Sequence, residues 1–351
     1  MATNLIGSEL KQKIRIGILF GGRSGEHEVS LMSARSVVRV LDVKRYNVTL
    51  IGITHDGQWL AGENALDALE KGNTAHLTPV TLLPQAGQRT LFALKDGALA
   101  HYAELDVIFP VLHGTFGEDG TIQGLFELIG LPYVGAGVLG SSVGMDKGLF
   151  KDVMRANGIP VLDSIVLTRR EIEKNIENAI AACEKISAYP LFTKPANLGS
   201  SVGISKVRGR SDLYEGLLEA ARFDRRVLVE RGLEKPREIE VSVLGNDQPI
   251  ASVPGEIRPS DDFYTYNAKY VDDRSELIIP ANLSETKREE IRNLAVAIYQ
   301  AIDCAGMARV DFLYSESTGE IFVSEVNTIP GFTSISMYPK LWEAAGISYP
   351  E

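Results

Sequence analysis

The chain has 351 residues, too many for one simple core, and its 44% hydrophobic and 23% charged content is that of an ordinary globular protein. Its 36 Lys and Arg face 46 Asp and Glu, and a net charge of -10 excludes any general attraction to nucleic acid or anionic membrane. The two cysteines, Cys183 and Cys304, are far apart, which argues against a disulfide framework or a zinc site; with no secretory leader and no long apolar span in the sequence, a cytoplasmic location is expected.

Residues 1–13 read as a loose polar leader. Ile14–Phe20 is a buried strand running into Gly21-Gly22-Arg23-Ser24-Gly25, and Val29, Met32, Ser33, Ser36, Val37, Val40 and Leu41 then repeat at helical spacing. Strand, glycine turn and helix open a doubly wound α/β domain, whose turn could hold an anion on its backbone N–H groups. The turn lacks the G-x-G-x-x-G dinucleotide fingerprint. Glu26, His27 and Glu28 in the first helical turn either bind a ligand or simply favour the helix dipole. Val48–Ile53 reads as a second strand, and residues 56–101 are irregular with a hairpin around Asp96-Gly97. Glu104–Leu112 is a further buried strand that delivers His113 to Gly120 to the sheet's carboxyl edge, where open α/β sheets bind ligands. A role for His113 in binding stands beside one in capping or packing. A short helix at Thr121–Gly130 and a strand at Leu131–Gly135 follow.

Asp146 caps a helix whose first turn carries Lys147, a position that the dipole disfavours for a cation unless an anion answers it. A helix is expected over Arg169–Ile186. Pro190–Lys194 and Ile204–Val207 then flank the loop Asn197-Leu198-Gly199-Ser200-Ser201-Val202-Gly203. Strand, glycine-serine loop, strand is either a hairpin lid over phosphates or a plain flexible turn; it is not the strand-loop-helix of a phosphate loop. Val227–Leu233 is a strand running into a bend that could bond an adenine edge, and Glu238–Gly245 alternates and turns. Residues 258–274 form a long polar, aromatic stretch with the character of a functional cover. Ser284 caps a helix whose Ile291, Leu294, Ala295, Ile298, Tyr299 and Ile302 make an inner stripe.

Ala308–Tyr314 and Glu320–Asn327, joined by a turn-rich Ser315–Gly319, form a hairpin. Alternation places Arg309, Asp311 and Leu313 on one side, together with Val323, Glu325 and Asn327 of the partner strand. Asp311, Glu325 and Asn327 would then offer three hard oxygens to Mg²⁺ on a nucleoside triphosphate, or the acids would merely pair with Arg309.

These elements resemble the D-alanine:D-alanine ligases of the ATP-grasp superfamily, in particular their longer bacterial branch, from Ile14 to the C-terminus. The resemblance rests on Gly21–Ser30, His113-Gly114 with Gly117–Gly120, Met145-Asp146-Lys147, Lys194-Pro195 with Gly199–Gly203, Tyr264 with Lys269-Tyr270, Arg309 with Asp311, and Glu325-Val326-Asn327 with Pro330-Gly331. It implies an N-terminal doubly wound parallel-sheet domain (14–137), a central ATP-grasp lobe with the lid (138–230) and a C-terminal lobe with the metal hairpin (231–351). It further implies that Lys147 and Lys194 neutralise ATP phosphates, that Glu230 and the backbone near Leu233 hold adenine, that Glu238 holds ribose, and that the loop with Ser200 and Ser201 closes over the γ-phosphate. Asp311, Glu325 and Asn327 would hold two Mg²⁺ ions, with Mn²⁺ able to substitute.

In the same resemblance, Glu26 takes the first D-alanine's ammonium, and His113, Ser200 and Tyr270 shape its pocket. Its carboxylate attacks the γ-phosphate, and the amine of a second D-alanine displaces phosphate. Ser336, Lys269 and the Gly331 region seat the second carboxylate, while Arg309 and the Gly331 N–H receive the oxyanion. Lysine, histidine and substrate phosphate stay open as the group that takes the incoming amine's proton. The expected partners are small molecules, with no nucleic acid or membrane, and a homodimer is expected. The family usually continues past Glu351 into a closing helix. Rival readings are a D-alanine:D-lactate ligase, a non-catalytic nucleotide-binding relative and, from the first strand-glycine-helix unit alone, a nicotinamide-dependent dehydrogenase.

Overall fold

The computed structural model describes residues 12–199, 202–258 and 276–351. Its first sheet is built on β1 (Ile14–Gly21), which pairs in parallel with β2 (Tyr46–Ile53) on one side and β7 (Val107–Pro110) on the other. α1 (His27–Val40) crosses between β1 and β2, and the parallel centre opens its carboxyl edge to the Gly21–Gly25 turn and the His113 loop. This is the α/β arrangement that the apolar runs predict. Four strands extend it antiparallel beyond β2: β3 (Trp59–Ala61), β4 (Thr78–Leu82), β5 (Thr90–Lys95) and β6 (Ala98–Glu104), with α2 (Ala65–Glu70) between β3 and β4. Asp96 and Gly97 both have positive φ, 51° and 76°, and so make the expected two-residue turn between β5 and β6. α3 (Thr121–Ile129) follows the His113 loop, but the expected strand at Leu131–Gly135 reduces to one bridge between Tyr133 and Ile108. Met32 is 41% exposed, and the inner face of α1 runs instead through Val29, Ser30, Ser33, Ala34 and Val37.

α4 (Val138–Met145) and α5 (Lys147–Ala156) lead to a second, four-stranded sheet of order β10-β9-β11-β8, made of β8 (Ser164–Thr168), β9 (Leu191–Pro195), β10 (Ser205–Val207) and β11 (Arg226–Arg231). Two helices, α6 (Arg169–Lys174) and α7 (Ile176–Cys183), replace the single helix expected over 169–186. Asn175 breaks it because its extended backbone lets its side chain accept from Asn178 N at 3.0 Å and cap the second piece. α8 (Arg210–Phe223) covers this sheet.

The third sheet runs β15-β14-β12-β16-β17, from β12 (Arg237–Leu244), β14 (Gly255–Arg258), β15 (Glu276–Ile278), β16 (Met307–Tyr314) and β17 (Ile321–Asn327), with β13 (Ile250–Ala251) beside β12. α9 (Glu285–Ala301) buries its Ile291, Ala295, Ile298 and Tyr299 stripe on it, as the periodicity predicts, and Ser284 caps its Lys287 N–H. α10 (Met337–Ala344) sets Tyr338 and Trp342 into the core of the first sheet, so the chain's last helix locks the two ends together. No helix of the described residues is long and apolar enough to cross a membrane.

Candidate active site

A cleft is lined by Glu26, His113 and Glu118 from the first sheet, Lys147, Leu198 and Gly199 from the second unit, and Arg309, Glu325, Asn327 and Ile329–Gly331 from the third. Three parts of the chain thus meet at one cavity. Glu26 is buried at the start of α1 and enters between two glycines. A Cβ on Gly114, whose φ is +73°, would lie 2.4 Å from Glu26 Oε2, and one on Gly199 would lie 2.8 Å from the same oxygen. Only residues without a side chain leave the carboxylate room there. Ser24 Oγ donates to His113 O at 2.6 Å and accepts from Glu26 N at 3.2 Å, tying the two loops together.

At the second unit, Asp146 caps α5 by accepting from Leu149 N at 2.9 Å and pairs with Arg226. The next residue, Lys147, is buried; its Nζ donates to Leu198 O at 2.6 Å and its backbone N–H to Ala196 O at 2.8 Å. The ammonium therefore sits at a positive helix terminus beside the base of the glycine-serine loop, where a polyanion would be doubly attracted. β9 and β10 pair antiparallel on either side of that loop, as a hairpin lid requires. Ser200 and Ser201 at its tip, and Tyr264, Lys269 and Tyr270 of the cover, lie outside the described residues.

Lys194 lies on β9 directly across from Leu228 of β11, and its Nζ is ion-paired with Glu230 Oε1. The second oxygen of Glu230 is 2.8 Å from Lys151 Nζ. Glu230 and Lys151 are both buried, so the carboxylate expected beside adenine is already spanned by two ammoniums. Burial pushes the Glu230 carboxyl upward, but the two lysines outweigh it and hold the group down at about 2. Burial pushes the Lys151 ammonium down, and Glu230 opposes that. Lys151 is absent from the sequence-based set, although it occupies an inward position of an amphipathic helix beside Phe150 and Met154, where a lysine needs a partner. Leu233 lies just past the end of β11, and Glu238 shares a face of β12 with Glu240.

At the third sheet, Asp311 stands directly opposite Glu325 and Arg309 opposite Asn327, while Glu240 of β12 faces Asp311 from the other side. The expected grouping of Val323 with Glu325 is corrected: a bulge between the Asp311 and Phe312 rungs leaves Val323 opposite Phe312 in the core. One extra residue, Ser324, thus turns Val323 inward and Glu325 outward. Arg309 Nε and Nη2 hold Asp311 at 2.7 and 2.6 Å, Arg309 Nε is 2.9 Å from Glu240 Oε2, and Asn327 Nδ2 donates to Asp311 Oδ2 at 3.1 Å. The pairing of Asp311 with Arg309 is thus present. Two carboxylates and an amide on adjacent rungs of one face are also a donor set of the hard-oxygen type suited to Mg²⁺, so the residues fit such an ion.

Past β17, His113 Nδ1 lies 3.0 Å from Ile329 O and its Nε2 3.0 Å from Ser33 Oγ. Glu118, also absent from the sequence-based set though it stands in the Gly117–Gly120 motif, accepts from Gly114 N at 2.8 Å and Ile329 N at 3.0 Å. Ser336 Oγ accepts from Thr333 N at 2.9 Å and would lie 2.8 Å from a Cβ on Gly331, so it stands beside the expected second-carboxylate position.

The family profile described as D-ala D-ala ligase N-terminus matches residues 15–136, and that described as D-ala D-ala ligase C-terminus matches 153–351. A D-alanine–D-alanine ligase of Natranaerobius thermophilus is 48% identical over 342 residues, 97% of this chain and 93% of that protein. One of Thermoanaerobacter sp. strain X514 is 50% identical over 340 residues, covering 96% and 94%. Among solved structures, the Coxiella burnetii D-alanine-D-alanine ligase superposes with a TM-score of 0.82 at 37% identity, over 96% of this chain and 91% of that one. The VanG D-Ala:D-Ser ligase of Enterococcus faecalis gives 0.85 at 37% identity, over 97% of each.

Proposed function

Because the chain belongs to the D-alanine–D-alanine ligase family, we propose that it joins two D-alanines at the expense of ATP, through a D-alanyl phosphate, to supply a peptidoglycan precursor. The observation that carries this is the convergence of Glu26, a carboxylate for the substrate ammonium, with phosphate-seeking Lys147 and the acid-amide face of β16 and β17 around one cleft. The working units are residues 14–137, 138–230 and 231–351, the last two gripping the nucleotide between them.

A carboxylate approaches a polyanionic triphosphate against charge repulsion, so cations must be fixed beforehand; Lys147, Lys194 and Arg309 supply them from three elements. Two Mg²⁺ ions, or Mn²⁺ in their place, would be held by Asp311, Glu325 and Asn327 and would add positive charge at the phosphate oxygens. Glu26 holds the first D-alanine's ammonium, with His113, Ser200 and Tyr270 around it. Its carboxylate oxygen bonds to the γ-phosphorus as the bridge to ADP breaks. The deprotonated amine of a second D-alanine, seated by Lys269, Ser336 and the Gly331 region, then attacks the acyl carbon. Arg309 and the Gly331 N–H take the developing oxyanion, and the carbon–oxygen bond to phosphate breaks. The Ser200–Ser201 lid and the 258–274 cover would keep water from the acyl phosphate. Glu238 and the backbone at Leu233 serve ribose and adenine.

The test is D-alanine-dependent ADP formation with ATP and magnesium, with L-alanine, D-serine and D-lactate as alternatives in the second site. D-Alanine should give the highest turnover. Activity with L-alanine alone would overturn the substrate and leave the fold untouched. A homodimer is proposed as the solution state, to be checked by sedimentation equilibrium.

A further inference from the structure

Four backbone groups on either side of Gly331 are fastened, three by side chains from the first 120 residues and one by Tyr349. Ile329 N–H donates to Glu118 Oε1 at 3.0 Å, and Ile329 O faces His113 Nδ1 at 3.0 Å. Phe332 N–H donates to Ser33 Oγ at 3.2 Å, and Phe332 O accepts from the Tyr349 hydroxyl at 3.1 Å. Pro330 has no N–H. In this four-residue stretch the Gly331 N–H is the backbone donor left without a partner among the described residues.

The hydrogen bonds also fix a proton arrangement. A carbonyl cannot donate, so His113 Nδ1 must carry a hydrogen toward Ile329 O, while Nε2 shares one hydrogen with the Ser33 hydroxyl. Ser33 Oγ in turn accepts from Phe332 N–H. The run is satisfied by a neutral imidazole with its proton on Nδ1, and burial pushes the ring toward that neutral form. Ser33 is fully buried and His113 nearly so.

We propose that Ser33, His113 and Glu118 are positioning residues for the second chemical step: they pin the Ile329–Phe332 backbone to the first sheet and so hold the Gly331 N–H where, with Arg309, it meets the oxyanion. This rests on the ligase reading given above. Loss of one fastener lets the loop relax, and a displacement near 1 Å at such a donor costs about 100-fold in rate.

The experiment compares phosphate released with dipeptide formed, under saturating ATP and D-alanine, in Ser33→Ala and Glu118→Gln. Assayed at about pH 9, above the Glu118 titration at about 8, Glu118→Gln keeps volume and one acceptor oxygen but turns an NH₂ toward a backbone N–H that the ionised carboxylate accepts from. In both variants the acyl phosphate should still form but be lost to water, so phosphate should exceed dipeptide several-fold where the unsubstituted protein gives about one to one, with kcat for dipeptide down about 100-fold and the KM for ATP within about two-fold. A loss of stability alone would lower both products together. Equal phosphate and dipeptide in a folded Glu118→Gln protein overturns the proposal, whatever Ser33→Ala does. Absence of D-alanine-dependent ADP formation by the unsubstituted protein overturns the ligase reading instead.

Discussion

Lys151, Glu230 and Lys194 form a buried row of charges in which the carboxylate has one ammonium on each oxygen. Lys194 is the member nearer solvent, at 15% side-chain exposure against 2% for Lys151, so Lys151 would keep Glu230 compensated if Lys194 serves phosphate as proposed. Replacing Lys151 by Met should cost about 3 kcal/mol by leaving part of a buried charge uncompensated, and should raise the KM for ATP by holding Lys194 on Glu230. Urea denaturation and ATP kinetics check the two effects separately. Lys194→Ala and Glu325→Gln should each abolish D-alanine-dependent phosphate release from ATP, whereas Glu26→Gln should weaken first-site amino-acid binding more than nucleotide binding, read as a change in the D-alanine KM with that for ATP little altered. Lys147 and the Asp311, Glu325 and Asn327 set are legible in the sequence because each sits at a position that its own element disfavours or repeats on one face. Lys151 is harder to find, since its partner lies 79 residues away on another strand and no local spacing joins them.

At the scale of elements, the regular strand pattern reads well where the ladder is regular and misleads at one place. Alternation puts Asp311 and Glu325 on one face correctly, but extends that face to Val323, which the bulge turns into the core. The pattern of residue types holds a hint, because Val323 is apolar where its predicted neighbours on β17, Glu325 and Asn327, are polar. The break at Asn175 has a similar origin: local side-chain capping competes with helix continuation, and helical spacing does not register it. α5 offers a direct test of element and site together. Asp146→Ala removes the cap on Leu149 N, worth about 1 kcal/mol, and also the partner of Arg226. The first turn should fray and carry Lys147 away from Leu198, so the melting temperature should fall and the ATP KM rise together. A fall in stability with unchanged ATP affinity would separate the cap from the site.

Across the whole molecule, the cleft exists because residues from opposite ends of the chain meet there, and acidity should act on that meeting. Burial and the Glu26 carboxylate push the Glu118 carboxyl up to about 8, against the N–H groups of Gly114 and Ile329 and the charge of Arg309. An acid raised in this way keeps a proton in the folded state that the unfolded chain has already released. The contribution of Glu118 to stability is therefore fully present below its ordinary value of 4.5 and is lost as pH rises from there through about 8. Melting measured from about pH 5 to pH 9 should show this decline, and Glu118→Gln should flatten its slope; a parallel slope in both proteins would sink the assignment. The parallel centre of the first sheet and the β16–β17 hairpin are legible from apolar runs and turn residues and the division into three units from the family resemblance, whereas the meeting of Ser33, Glu118 and Tyr349 around residues 329–332 is not, since no local spacing marks those bonds. The cysteines carry a practical consequence. Both are buried, and burial pushes each thiol up to about 12, so neither is a ready nucleophile near neutral pH. The unmodified protein is thus a silent background for maleimide dyes, and a single introduced surface cysteine could be labelled without first removing the natural ones.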